Sequence, residues 1–259
     1  MADFDTRRAQ QKNRVRRRGI YILPNLFTTA ALFGGFYAIV QAMNQRFDQA
    51  AVAIFVAMVL DGLDGRVARL TKTQSAFGAE FDSLSDMVSF GAAPALVIYE
   101  WSLRGMGKLG WIAAFVYVAA AALRLARFNT MLDVADKHWF TGLPSPAAAA
   151  LVGGFVWIID DYALDPATVR WWAFAVTLFA GLSMVSNVRF YSFKTINLRK
   201  SVPFVVVFLI AMGIALLSYQ PATVLFCTFV AYGLSGYIGW VYTALRRRRV
   251  QTGAGTGSE

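Results

Sequence analysis

Residues 49–70 read QAAVAIFVAMVLDGLDGRVARL, and residues 76–101 read AFGAEFDSLSDMVSFGAAPALVIYEW. Each stretch is long enough and apolar enough to cross a bilayer as a helix, which takes roughly 20 residues. Yet Asp61 and Asp64 stand near the end of the first, and Asp82 and Asp86 near the start of the second. Spacings of three and four place each pair on one helix face. The short polar link TKTQS at 71–75 turns the chain back, so both pairs lie toward the same end of two antiparallel helices. A carboxylate at mid-membrane costs on the order of 3 kcal/mol. Four of them in two consecutive spans therefore mark a functional site, and the fold that holds it is a helical membrane domain.

The rest of the 259 residues agrees with that reading. AVILMFWYC make up 57% of the chain, only 15% is charged, and the mean hydropathy is +0.49, which excludes an ordinary soluble enzyme. Apolar runs fall at about 24–44, 49–70, 76–101, 109–130, 144–160, 168–189, 202–219 and 222–245, the fifth being the shortest. The expectation is an all-α polytopic membrane protein of about eight transmembrane helices. The charge locates its ends. Lys and Arg number 25 against 15 acids, and cytoplasmic loops should hold most of them. With both termini cytoplasmic, only Arg46, Arg104, Lys108 and Arg170 fall on the outer side. An odd number of spans would strand one of the two basic tails, Arg7 to Arg18 or Arg246 to Arg249. Those tails read as anchors on anionic membrane lipid, and no nucleic-acid partner is expected. The divisions are a basic cytoplasmic segment at 1–19, retained rather than cleaved, a membrane core at 20–200, two further helices at 201–246, and a Gly/Thr/Ser-rich tail at 247–259 expected to be disordered. One cysteine, Cys227, excludes an internal disulfide and a multi-cysteine metal site.

Four acids in one cleft cannot all ionise without cations between them. Buried salt bridges to Arg66, Arg69, Arg124 or Arg127 would serve, as would a cation-conducting path. Divalent metal resolves the conflict more fully: all-oxygen ligands favour hard ions such as Mg²⁺ or Mn²⁺, and two metals close together clamp a phosphoryl group. Gly65, Ala68 and Gly78 leave room for a ligand to approach the backbone, and Arg69 offers a cation to a phosphate.

The whole run, D-x2-D-G-x2-A-R-x8-G-x3-D-x3-D, resembles the CDP-alcohol phosphotransferase family, with Asp61, Asp64, Gly65, Ala68, Arg69, Gly78, Asp82 and Asp86 at the fixed positions. The resemblance implies displacement of CMP from a CDP-linked lipid by an alcohol at a site of two divalent cations. It implies that Asp61, Asp64, Asp82 and Asp86 are metal ligands, with Asp86 also the base for the incoming hydroxyl. It further implies that Gly65, Ala68, Gly78 and Arg69 hold the cytidine and diphosphate. PNLFT at 24–28 looks like the family's opening segment, which brings Asn25 and Thr28 to the nucleotide pocket. A carboxylate within reach of an alcohol suits the chemistry independently, because the hydroxyl must lose its proton as it attacks.

Four further segments resemble the phosphatidylserine synthase branch of that family: SFGAAPA at 89–95, RLARFN at 124–129, FTGLPSPAAA at 140–149 and SNVRFYSFK at 186–194. The branch implies CDP-diacylglycerol and L-serine as substrates, a homodimer, and an active site on the cytoplasmic side of the inner membrane. Arg124, Arg127, Arg189 and Lys194 fall at cytoplasmic helix ends, where they could meet the acceptor or the diphosphate, and Asn129, Ser145 and Ser186 offer hydrogen bonds. Glycerol 3-phosphate could use the same cations, inositol is a further acceptor, and choline would need an aromatic box from Phe90, Phe128, Trp139 and Tyr191. A cation-coupled transporter and a non-catalytic lipid-binding protein are the readings outside the family. His138, the single histidine, is followed by Trp139 and Phe140, not by the H-x-K pattern of enzymes that work through a phosphohistidine. The last two helices carry no signature beyond a small-residue stripe at Ala231, Ser235 and Gly239, which lets helices approach closely.

Overall fold

The computed structural model describes residues 24–130, 139–191 and 204–254. The basic segment at 1–19, His138, Lys194 and the last residues of the tail lie outside them. Nine α-helices are described: α1 (Pro24–Met43), α2 (Phe47–Thr71), α3 (Ala76–Asp86), α4 (Ala93–Trp101), α5 (Lys108–Thr130), α6 (Ser145–Asp161), α7 (Arg170–Val185), α8 (Phe204–Tyr219) and α9 (Pro221–Ala254). A π-helical turn, Met87–Ala92, joins α3 to α4 without a break, so the described rods coincide with the eight apolar runs. Four are long and apolar enough to cross a membrane: Pro24–Met43, Ala76–Trp101, Lys108–Thr130 and Pro221–Thr243. The others fall short for plain reasons. α2 carries the charges of the acidic motif, while α6, α7 and α8 have 17, 16 and 16 residues. The apolar exterior agrees with a membrane protein: Phe33, Leu70 and Trp171 are exposed, as are the apolar residues along α8.

The sequence pattern contains no strand, but the structure has a short one. Trp139–Thr141 (β1) pairs antiparallel with Arg189–Tyr191 (β2), Phe140 opposite Phe190. Gly142 follows with φ +80, and a Cβ there would collide with the Met184 carbonyl oxygen. Its N–H donates to the Val188 oxygen at 2.8 Å. Two loops emerging at one end of the molecule thus satisfy their backbone groups on each other, and three-residue pairings of this kind are too short to leave a period in the sequence. The helix of α9 also runs through Arg246–Arg249 to Ala254, past the limit of 246 expected for it, since arginine and glutamine propagate a helix well.

α6 is the centre of the bundle. Ala147 through Val156 are all buried, and the helix packs on α2, α7 and α9, with α5 against α7 beside it. Its alanines and glycines let the neighbours close in, which is why the shortest apolar run is the most enclosed. At one end the turns meet each other: Gln45 reaches Glu100, Ser102 Oγ donates to the Pro166 oxygen at 2.8 Å, and Arg170 donates to the Gly105 oxygen. At the other end lie β1, β2 and the ends of α2, α3, α5 and α7.

The π-helical turn has an identifiable cause. Pro94 has no N–H to give to the Phe90 carbonyl four residues back. The buried Tyr117 hydroxyl of α5 supplies the missing donor at 3.0 Å. The same segment is strapped to α1, because Ser85 Oγ donates to the Thr28 oxygen at 3.1 Å and Ser89 Oγ to the Ala31 oxygen at 3.0 Å. Gly35 makes this approach possible: a Cβ there would lie 2.6 Å from the Ser89 Cα.

Candidate active site

Asp61 and Asp64 in the C-terminal half of α2 meet Asp82 in the C-terminal half of α3. Lys72 ends α2 in the left-handed region, its N–H on the Ala68 and Arg69 carbonyls. Ser75 then caps α3 by accepting the Gly78 N–H at 3.0 Å. This tight turn places carboxylate oxygens of Asp61, Asp64 and Asp82 within 4.8 Å of one another. Asp86 sits one turn further along α3, within hydrogen-bonding reach of Asp61. Asp64 is buried and the other three are half-buried.

Two observations show what the acids suit. Among the described residues no lysine or arginine forms an ion pair with Asp64, Asp82 or Asp86; the ion pair found there is Arg104 with Glu100. Salt bridging therefore does not explain them. In addition, Oδ1 of Asp82 and Oδ1 of Asp86 are enclosed by protein without any hydrogen-bond partner. Unpartnered carboxylate oxygens beside other carboxylates are expensive in a low-dielectric interior, and a divalent cation is the ligand that relieves them. The donor set fits a hard metal.

Thr28 is at the hinge of this arrangement. Its hydroxyl donates to Asp64 Oδ2 at 2.7 Å and also approaches the Pro24 oxygen at 3.2 Å, while its carbonyl takes the Ser85 hydroxyl. One buried residue of α1 thus orients an acid of α2 and fastens the acid-bearing turn of α3. Sequence reading places Thr28 toward a nucleotide; in the structure its hydroxyl engages the Asp64 carboxylate. Asn25 stands one turn before Thr28, and a Cβ added to Gly78 would lie 3.5 Å from its Oδ1. Gly65 and Ala68 are half-buried on α2, and the exposed Arg69 lies close enough to bias Asp64 electrostatically.

The cations at the far side separate. Arg124 of α5 donates from Nη1 to Ser145 Oγ at 2.7 Å and is in electrostatic reach of Asp86. Arg127 donates to Asn187 Oδ1 at 2.9 Å. Asn129 donates to Ser83 at 3.0 Å, bracing α3 next to Asp82. Arg189 is exposed on β2. The structure therefore brings Arg124 and Asn129 to the acidic helices, ties Arg127 to the loop after α7, and leaves Arg189 on the surface. Sequence reasoning missed the Thr28–Asp64 bond and the Tyr117 donor, because a lone Thr or Tyr in an apolar run carries no periodic signal.

Residues 21–183, which hold all four acids, match the CDP-alcohol phosphatidyltransferase family. The chain belongs to that family. As a CDP-alcohol phosphatidyltransferase it is 35% identical over 229 residues to the CDP-diacylglycerol–serine O-phosphatidyltransferase of Helicobacter pylori strain J99, covering 88% of this chain and 94% of that one. It is 33% identical over 186 residues to the protein of the same name from Methanocaldococcus jannaschii, covering 71% and 82% of the two chains. Archaetidylserine synthase of Methanothermobacter thermautotrophicus is 36% identical over 135 residues, which are 51% of this chain and 57% of that one. In this CDP-alcohol phosphatidyltransferase the helices α8 and α9 lie beyond the matched range.

Proposed function

We propose that the chain transfers the phosphatidyl group of CDP-diacylglycerol to the hydroxyl of L-serine, giving phosphatidylserine and CMP, as a step of phospholipid synthesis. The observation that carries this reading is the set of converging carboxylates with unpartnered oxygens, inside a range that matches the family and in a chain whose extensive relatives are named for the serine reaction.

Asp61, Asp64, Asp82 and Asp86 would hold two divalent cations, Mg²⁺ or Mn²⁺, which when bound neutralise the diphosphate and stabilise the charge on the departing CMP. Asp64 is fixed for this by Thr28, and Asp82 by the bracing of α3 through Ser83 and Asn129. Asn25, Gly65, Ala68, Gly78 and Arg69 border the side of the cleft where the CDP group lies, small residues giving access to backbone and Arg69 countering phosphate charge. Asp86 takes the proton of the serine hydroxyl as its oxygen forms the new bond to phosphorus, and the bond from that phosphorus to the CMP oxygen breaks in the same displacement. Arg124, Arg127, Arg189 and Lys194 are the candidate cations for the acceptor or diphosphate.

All eight rods cross the inner membrane, with both termini and the acidic cleft on the cytoplasmic side. That placement suits a soluble acceptor and a soluble nucleotide product, while the acyl chains stay in the bilayer. Two chains assemble as a homodimer. The test is CMP release by purified protein in detergent with CDP-diacylglycerol and Mg²⁺ or Mn²⁺, with L-serine, glycerol 3-phosphate, inositol or choline as acceptor. Serine-dependent release that a chelator stops is the expected result. Release with a different alcohol overturns the acceptor, and release with none, together with cation flux in sealed vesicles, overturns the transferase reading.

A further inference from the structure

Asp82 and Asp86 can serve one metal centre only while α3 keeps a fixed roll about its own axis. At about 100° per residue the two acids stand about 40° apart, so they share a direction. Ser83 falls about 80° to one side of that direction, Ser85 about 80° to the other, and Leu84 about opposite. The contacts follow this wheel. Leu84 is exposed, while Ser83 Oγ accepts from Asn129 Nδ2 of α5 at 3.0 Å. On the other flank Ser85 Oγ donates to the Thr28 carbonyl oxygen of α1 at 3.1 Å. The acid face of α3 is thus bordered on each side by a hydrogen bond to a different helix.

Packing does little to set the roll by itself. Ser85 is the one buried residue of α3, and Phe77 is exposed as Leu84 is. Precision nevertheless matters here. A helix with its side chains has a radius of about 5–6 Å, so a roll of about 5° moves a carboxylate oxygen by about 0.5 Å. Metal–ligand distances tolerate only about 0.2 Å. The Ser85 bond also reaches the other acidic helix, because the Thr28 hydroxyl donates to Asp64 Oδ2 at 2.7 Å. Ser85, Thr28 and Asp64 form one chain from α3 through α1 to α2.

We propose that Ser83, Ser85 and Asn129 are positioning residues for the metal centre, the two serines locking α3 against roll from opposite sides. Asn129 acts through Ser83, a different task from the acceptor or diphosphate contact that the sequence suggests. This rests on the reading of the acids as metal ligands. Ser89 supplies the comparison: its Oγ donates to the Ala31 oxygen of α1 at 3.0 Å, the same kind of bond made one turn further on, in the π-helical segment beyond the acids.

The experiment titrates the full chain in detergent with Mn²⁺ alone and follows the free ion by electron paramagnetic resonance, so no turnover is needed. Ser83→Ala and Ser85→Ala should each raise the Mn²⁺ dissociation constant about 10–100-fold, as loss of an outer support of a metal ligand does. Ser83→Thr keeps the hydroxyl and should bind within about twofold of the wild type. Asn129→Ala should weaken binding as Ser83→Ala does, and the double variant should lose no more, because both changes delete one bond. Ser89→Ala should lower the unfolding midpoint yet leave the Mn²⁺ constant within about twofold. Ser85→Cys, close in shape and a weak donor, replaces Ser85→Ala if that variant does not fold. Unchanged affinity in the Ser83 or the Ser85 variants overturns the proposal. An equal loss of affinity in Ser89→Ala overturns it too, since general loosening would then account for the effect. A raised substrate KM in Asn129→Ala with an unaltered Mn²⁺ constant puts Asn129 at the substrate and overturns its positioning role. A wild type that binds Mn²⁺ no better than Asp82→Asn overturns the metal reading itself, before any serine is changed.

Discussion

At the scale of single residues, the site divides into acids that the motif announces and partners that only the fold supplies. Asp86 has an enclosed, unpartnered oxygen beside Asp61 and Asp82, and it lies outside the tightest group of carboxylates. Asp86→Asn keeps the shape and removes the base. Turnover should drop by about a thousandfold, within the range expected for loss of general-base catalysis, while CDP-diacylglycerol still protects the protein in a thermal-unfolding assay. Unchanged turnover would remove Asp86 from that role. Thr28 makes a different prediction, because it touches an acid and not the reacting atoms. Thr28→Val deletes the 2.7 Å bond to Asp64; the concentration of Mg²⁺ or Mn²⁺ giving half-maximal activity should rise about 10–100-fold, as for other lost supports of a metal ligand. Thr28→Ser should restore it. A variant limited at every metal concentration would show that Thr28 serves the nucleotide instead. The acids were legible because a charge in an apolar run has a cost that must be explained. Thr28 and Ser145 were legible as site residues through the resemblance, but their partners Asp64 and Arg124, and the role of Tyr117, were not, since a hydroxyl in an apolar run looks the same in sequence whatever it bonds.

At the scale of elements, the bend at Met87–Ala92 shows how a defect in one helix is repaired by another. Pro94 withholds its N–H, and the freed Phe90 carbonyl is answered by Tyr117. Tyr117→Phe leaves that buried carbonyl without a donor and should destabilise the protein by about 1–3 kcal/mol, read as a lowered unfolding midpoint in detergent. Pro94→Ala restores a backbone donor, so the double variant should lose less than the sum of the two single changes. Simple additivity would mean that the two residues do not share the Phe90 oxygen. Helix positions were readable from hydropathy because each apolar run had to be near bilayer length. The π-helical turn and the β1–β2 pairing were not, because both depend on which carbonyls and N–H groups remain unsatisfied after packing. The enclosed position of α6 was equally hidden: its alanines and glycines read as a weak span, yet small side chains are what allow α2, α7 and α9 to crowd it.

At the scale of the whole molecule, the two ends of the bundle differ, and the difference makes its seat in a membrane testable. The turns after α1, α4 and α6 meet at one end through Gln45, Ser102 and Arg170. Trp111, Tyr162, Trp171, Trp172 and Tyr219, all exposed, lie near the connections of that end, as aromatic side chains do at a headgroup boundary. The opposite end holds the turn at 72–75 and the acidic cleft. If every rod crosses, Asn44 and Leu164 face the outside and Gln74 faces the cytoplasm. With Cys227 replaced by Ser, Asn44→Cys and Leu164→Cys should react with a membrane-impermeant maleimide in sealed right-side-out vesicles, and Gln74→Cys only after the vesicles are inverted. The informative pair is Asn44 and Gln74, which flank α2. That helix carries Asp61 and Asp64 and is too charged to qualify as a span by apolarity alone, so its crossing depends on the acids being sheltered by α1 and α3 rather than by lipid. Labelling of both positions from the same side would mean that α2 does not cross and would remove the eight-span arrangement; labelling from opposite sides places the cleft at the cytoplasmic end, where a soluble amino acid and CMP can enter and leave.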